Sequence, residues 1–136
     1  MQGWILPTLG ALLLWGFWGF IPKLTTAYLS PKSAVVYEVL GGLLLAFIVL
    51  ASSKFQLDFH PKGSAFAVIT GMLGLLGAFC FLLAVSKGPV TLVATLSALY
   101  PVVSILLATL ILHESVTFRQ WVGIAVAILA MILVTA

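Results

Sequence analysis

Residues 64–86 read SAFAVITGMLGLLGAFCFLLAVS, 23 consecutive positions without an Asp, Glu, Lys or Arg. An uncharged stretch this long matches the helix needed to cross a hydrocarbon layer of about 30 Å. It is followed by Lys87-Gly88-Pro89. That triplet places a cation at the helix C-terminus, a glycine at the C′ position and a proline beyond it, which predicts a firm stop. Inside the run, Ala67, Gly71, Gly74 and Ala78 follow a 4-3-4 spacing along one face. Lipid offers no hydrophobic drive for helices to associate, so such small residues predict a seam where another backbone approaches closely.

Four more apolar segments flank this one. Span one runs from about Gly3 to Pro22. Ser30-Pro31 has the pattern of an N-cap with proline at the first helical position, and opens span two near Lys32, ending near Ser53. Span four runs from about Val90 to His113. Thr117-Phe118-Arg119-Gln120 has the spacing of a capping box and opens span five, which continues to Ala136. That last run is the shortest, near the lower limit for a crossing. Span four repeats the small-residue seam at Ala94, Ser97, Pro101, Ser104 and Ala108, and span five at Gly123, Ala127 and Ala130. The runs are continuous and do not alternate, which argues against a membrane β-barrel. The expectation is an all-α membrane protein of five transmembrane helices, forming one domain over residues 1–136.

Composition agrees. Of 136 residues, 63% are hydrophobic and only 7% charged, and mean hydropathy is +1.30. One soluble core of this size needs far less apolar surface. The net charge of +3 does not indicate a nucleic-acid partner, because the six basic residues stand scattered at segment ends with no stripe to track phosphates. Cys80 is the only cysteine and lies within a span, so no intrachain disulfide or cysteine metal cluster is expected. Met1-Gln2-Gly3-Trp4 lacks the positive region of a secretory signal, and the first span is expected to be retained.

The basic residues divide evenly between the two faces. With Met1 on side one, that side carries Lys54, Lys62 and Arg119, and side two carries Lys23, Lys32 and Lys87. Orientation normally follows an excess of Lys and Arg in cytoplasmic loops, so this chain has little to bias it and is able to insert both ways. Five spans put the termini on opposite faces, and two oppositely inserted copies would form an inverted pair. Between spans two and three, Lys54-Phe55-Gln56-Leu57-Asp58-Phe59-His60 alternates apolar and polar residues. That period predicts an extended segment with one greasy face at the membrane surface, and Asp58 and His60 there read as a wetted loop or a site.

Candidate site residues follow from cost. Glu38 lies four or five residues inside span two, where a carboxylate is unfavourable unless it is paired, protonated or facing water. Such a group can recognise a cation or exchange a proton for one; the alternatives are snorkelling to the interface or pairing with Lys32 or Lys23. Trp15, Trp18, Tyr37 and Tyr100 offer ring faces that suit apolar or cationic groups, or else face lipid. Trp4 and Trp121 stand at span ends, as interfacial anchors do. Pro101 removes a backbone bond from the middle of span four and predicts a kink able to act as a gate. Lys23 reads as a headgroup anchor or a substrate contact, and Glu114 as a partner for backbone donors at the start of span five or for Arg119.

Enzyme motifs are lacking. His113-Glu114 begins like the zinc motif H-E-x-x-H, but Thr117 stands where the second histidine belongs, so no metal site is expected. Neither G-x-S-x-G nor a glycine-rich phosphate loop occurs, and no cofactor is expected.

Several of these features together resemble a known family. Trp15-Gly16 with Lys23 at the far end of span one, Ala94 through Pro101-Val102, and His113-Glu114-Ser115-Val116-Thr117 before Gln120 and Gly123 are similar to the EamA domain of the drug/metabolite transporter superfamily. The resemblance covers nearly the whole chain. It implies one repeat unit of an inverted-repeat fold that relatives carry twice, with the first four helices around a central cavity and the fifth outside. From it follows the expectation of a secondary transporter half-unit, working as an antiparallel homodimer by alternating access in a prokaryotic cell membrane. A small metabolite or a cation would be the substrate, with proton coupling as an option. The alternatives are half of a heterodimeric transporter, or a non-transporting subunit that assembles with another membrane complex. Span two departs from the resemblance: many relatives carry an arginine there, whereas this chain reads Val36-Tyr37-Glu38-Val39. The substrate class of those relatives therefore does not carry over.

Overall fold

A computed structural model describes residues 3–135 of the chain. Six helices follow in order: α1 (Ile5–Thr25), α2 (Pro31–Ser52), α3 (Pro61–Lys87), α4 (Val90–Ser97), α5 (Tyr100–Ile111) and α6 (Phe118–Thr135). There is no strand among the described residues. α1, α2 and α3 are each long and apolar enough to cross a membrane, as is the combined α4–α5 segment, while α6 is a shorter apolar helix. The five expected apolar segments are thus all helical, four of them span-length with the fourth in two pieces, and the last one shorter.

The break in span four comes from Pro101. Proline has no N–H, and its ring crowds the carbonyl four residues back, here Ser97, where α4 ends. Around the break the ladder tightens to three-residue bonds, Leu99 N–H to the Leu96 carbonyl at 3.2 Å and Val102 N–H to the Leu99 carbonyl at 3.0 Å. Elsewhere in the spans, hydroxyls return to their own helix. Thr70 donates to the Phe66 carbonyl and Thr109 to that of Ile105, both at 2.9 Å, so these polar groups are satisfied without water.

Helix ends follow the sequence in most places. Ser30 caps α2, its Oγ accepting the Ser33 N–H at 3.3 Å with Pro31 at the first helical position. The capping box forms before α6: Thr117 N–H donates to Gln120 Oε1 at 2.7 Å, and Gln120 N–H returns to Thr117 Oγ1 at 3.4 Å. Two expectations need correction. α3 stops at Lys87 as expected, but no described glycine has a positive φ, so Gly88 is not a left-handed cap. It precedes Pro89, which pushes the preceding residue toward extended backbone. Nor does the segment after α2 begin extended. Lys54 and Phe55 have φ of 54° and 60°, and the Phe55 N–H reaches the Leu50 carbonyl at 2.9 Å while Lys54 N–H reaches that of Ala51 at 3.1 Å. These two bonds make a Schellman cap without glycine. Phe55 then folds back on α2, its ring edge-on to Phe47 at a centroid distance of 6.3 Å. From Gln56 to His60 the chain is exposed and irregular. His60 Nδ1 accepts the Gly63 N–H at 3.3 Å, which makes His60 a cap for α3.

The chain divides into two compact units, 1–87 and 88–136. In the first, α3 packs against both α1 and α2; in the second, α4 packs against α6. The first unit has an uneven core. Every described buried residue belongs to it: Pro22, Ala34, Ala78, Phe81, Leu82 and Val85. They occupy the last turn of α1, the first turn of α2 and residues 78–85 of α3, all at the end that carries the α1–α2 turn. Toward the opposite end the three helices bury nothing, and a Cβ added at Gly71 or Gly74 would meet no neighbour. Of the small-residue seam in α3, only Ala78 is closed over.

Candidate functional site

Three helices bring different chemistry to the packed end of the first unit. On α2, buried Ala34 and half-buried Val35, Glu38 and Val39 share a face at helical spacing. Pro31 begins the helix, so Glu38 lies seven residues in, about 10 Å along the axis at 1.5 Å per residue. This is deeper than the sequence suggested. Trp18 lies the same seven residues before the end of α1, and Phe81 six before the end of α3. Glu38, Trp18 and Phe81 thus share one depth, counted along their helices. Trp18 packs on Phe81 with ring centroids 5.3 Å apart and planes tilted by 38°, which assigns it to helix packing on the edge of this layer.

Between that layer and the α1–α2 turn, Lys23 Nζ donates to the Val85 carbonyl at 2.7 Å. A carbonyl in the last turn of a helix lacks an intrahelical donor, and the residue four further on is Pro89, which has no N–H to offer. Lys23 therefore ties α1 to α3 at the negative end of the α3 dipole, a favourable place for a cation. The sequence reading of Lys23, a headgroup anchor or a substrate contact, did not include this tie to α3.

The other site candidates belong to other surfaces of their own units. Trp15 and Tyr37 are exposed. Tyr37 borders a shallow groove on α2 with Lys32, Ser33, Val36 and Leu40, on a different face from the Ala34–Glu38 stripe. Tyr100 and Pro101 belong to the second unit, and Tyr100 is exposed there. Pro101 lines an apolar cleft of about 490 Å³ between α5 and α6, facing Gly123 and Ala127, with Glu114 and Gln120 also on its wall. The small-residue stripes of spans four and five thus share this cleft, and a Cβ at Gly123 would stand in open space. Glu114 follows His113, whose φ of 55° turns the chain out of α5. The donors at the start of α6 are served by Thr117 and Gln120 instead of Glu114.

The family model described as the EamA-like transporter family matches residues 2–136. The chain belongs to that family. As an EamA-like protein it is an integral membrane protein with a transporter-like role, acting in a lipid bilayer on small molecules. It is 30% identical over 94 residues to an uncharacterized protein of Methanocaldococcus jannaschii, covering 69% of each chain. It is also 32% identical over 102 residues to an uncharacterized transporter of Synechocystis, covering 72% of this chain but 30% of that one. No solved structure matches the chain at a significant level.

Within this EamA-like unit, sequence reasoning picked Glu38 and Trp18 but missed Phe81 and the Val85 carbonyl. Phe81 is one apolar residue in a uniformly apolar run, and nothing in the run marks which face is inward. Val85 did carry a signal: a proline four positions on leaves a carbonyl without a donor, and Lys23 ends the neighbouring helix.

Proposed function

We propose that this EamA-like chain is a half-unit of a secondary transporter, that residues 1–136 act as one five-helix domain, and that two copies pair antiparallel around a shared cavity. Alternating access then consists of opening that cavity to one face and the other in turn. The observation that carries the reading is Glu38, an ionisable side chain about 10 Å inside a span on the same helix face as buried Ala34. A carboxylate in that position persists where it meets a counter-charge, a proton or water, and a transport cavity provides all three in turn. Glu38 is accordingly the group for cation recognition or proton coupling. Trp15, Trp18, Tyr37 and Tyr100 supply aromatic surface, and Pro101 a flexible point in span four. The even division of Lys and Arg between the faces supports dual insertion. The Synechocystis transporter, of which the matched stretch is 30%, is long enough for more than one such unit. The archaeal and cyanobacterial relatives support a prokaryotic cell membrane.

The test is reconstitution into liposomes carrying an internal pH-sensitive dye, with organic cations and neutral metabolites added outside in turn. Uptake or proton counterflow that depends on the protein supports the reading, and its loss in Glu38→Gln assigns the coupling. A chain that moves none of a broad panel, yet co-purifies with another membrane complex, would replace it.

A further inference from the structure

The first unit is packed at one end and unpacked at the other, and at the packed end Lys23 makes a polar tie between helices. All its described buried residues gather beside the α1–α2 turn. Trp18, itself exposed, stacks on Phe81 at the inner edge of that cluster, and the Lys23 bond to Val85 joins α1 to α3 at 2.7 Å. Glu38 stands at the inner margin, one turn beyond buried Ala34 on the same face. Past this layer α1, α2 and α3 bury no described residue, so the packing that surrounds Glu38 lies on the side-two end of the three helices. We propose that the Lys23–Val85 hydrogen bond is the latch of a gate that closes the α1–α2–α3 unit on the side of the α1–α2 turn, with Trp18 and Phe81 as its inner seal.

The physical argument concerns reversibility. A gate must open without unfolding its helices, and the acceptor here has no donor four residues on, because position 89 is proline and Val85 lies in the last turn. Releasing Lys23 leaves the α3 bonds intact and gives the ammonium and the carbonyl to water at the membrane face. Lys23 is thus a positioning residue: it touches no substrate and holds α1 against α3. The inference rests on the transport reading, for which it names the side-two gate.

Thiol labelling tests it without a substrate. In a Cys80→Ala background, single reporters Val39→Cys, on the Glu38 face, and Gln56→Cys, in the exposed α2–α3 loop on side one, are reconstituted separately and exposed briefly to a membrane-impermeant maleimide on one side. With Lys23 present, the labelled fraction at Val39→Cys should equal that at Gln56→Cys, whatever the mixture of insertions, because both are reached only from side one. Lys23→Met should raise the Val39→Cys fraction about twofold in an evenly mixed population, and Lys23→Arg, which keeps a donor, should not. Pro89→Ala, which supplies the missing N–H to Val85, should act as Lys23→Met does and replaces it if that variant does not reconstitute. An unchanged Val39→Cys fraction in the variant used, or a Val39→Cys fraction above that of Gln56→Cys with Lys23 present, overturns the latch. Because no cargo is involved, either result is independent of whether the protein transports the compounds tried.

Discussion

The Lys23 ammonium lies 2.7 Å from the Val85 carbonyl oxygen, and Pro89, four residues after Val85, has no N–H with which to compete for that oxygen. Lys23→Met keeps the stem and removes the donor. We expect it to lower stability by about 1.5–3 kcal/mol, the range for a hydrogen bond that involves a charged group, with most of the loss restored in Lys23→Arg. Thermal unfolding in detergent measures both.

The uneven core leads to a second expectation. Leu82 is fully buried, whereas Leu73, on the same helix, is exposed. In lipid an exposed leucine gains nothing from transfer, so Leu73→Ala should be nearly neutral, while Leu82→Ala leaves a cavity and should cost about 2 kcal/mol. Equal effects at the two positions would place packing of comparable weight at the open end.

Replacing Glu38 by Gln keeps size and hydrogen bonding but removes the titratable charge. Transport should lose its pH dependence or its cation preference while the protein still folds, and Asp should be milder. Uptake measured across a pH series decides the matter. A Gln variant with full, pH-dependent uptake leaves only aromatic side chains as substrate-facing candidates.

The capping box before α6 is a local device with a local test. Thr117→Ala removes an acceptor for the Gln120 N–H and should cost about 1 kcal/mol, as should Gln120→Ala. The double variant should cost less than the sum, since each single change already breaks the reciprocal pair. An additive pair would mean that the two side chains cap independently.

The α5–α6 cleft separates two roles for the α6 stripe. Leucine at Gly123 and Ala127 should fit into the open space facing Pro101 and leave the monomer fold intact. If the same stripe also meets a second copy, cross-linked dimers should fall sharply in lipid. Dimers at wild-type level would move the contact to another helix.

Adding two or three lysines after Met1 should bias insertion toward an N-terminus inside the cell and weaken function where both orientations are required. Labelling of cysteines placed at the two ends reports the outcome. A wild-type chain labelled from one side only at each end would refute dual insertion.

Much of this architecture is determined by sequence alone, because its causes are local. An uncharged run such as 64–86 is apolar whatever surrounds it, Ser30-Pro31 and Thr117-x-x-Gln120 cap through bonds three residues apart, and Pro101 breaks span four by lacking its own N–H. Tertiary structure alone decided which faces turn inward. In spans that are apolar all round no stripe distinguishes core from lipid, so Phe81 and Leu82 resemble Leu73 until α1 and α2 are packed against α3. It also brought Lys23 to the carbonyl of a residue 62 positions away. The absence of a donor at Pro89 is written in the chain, but which cation comes to fill it depends on how the helices pack.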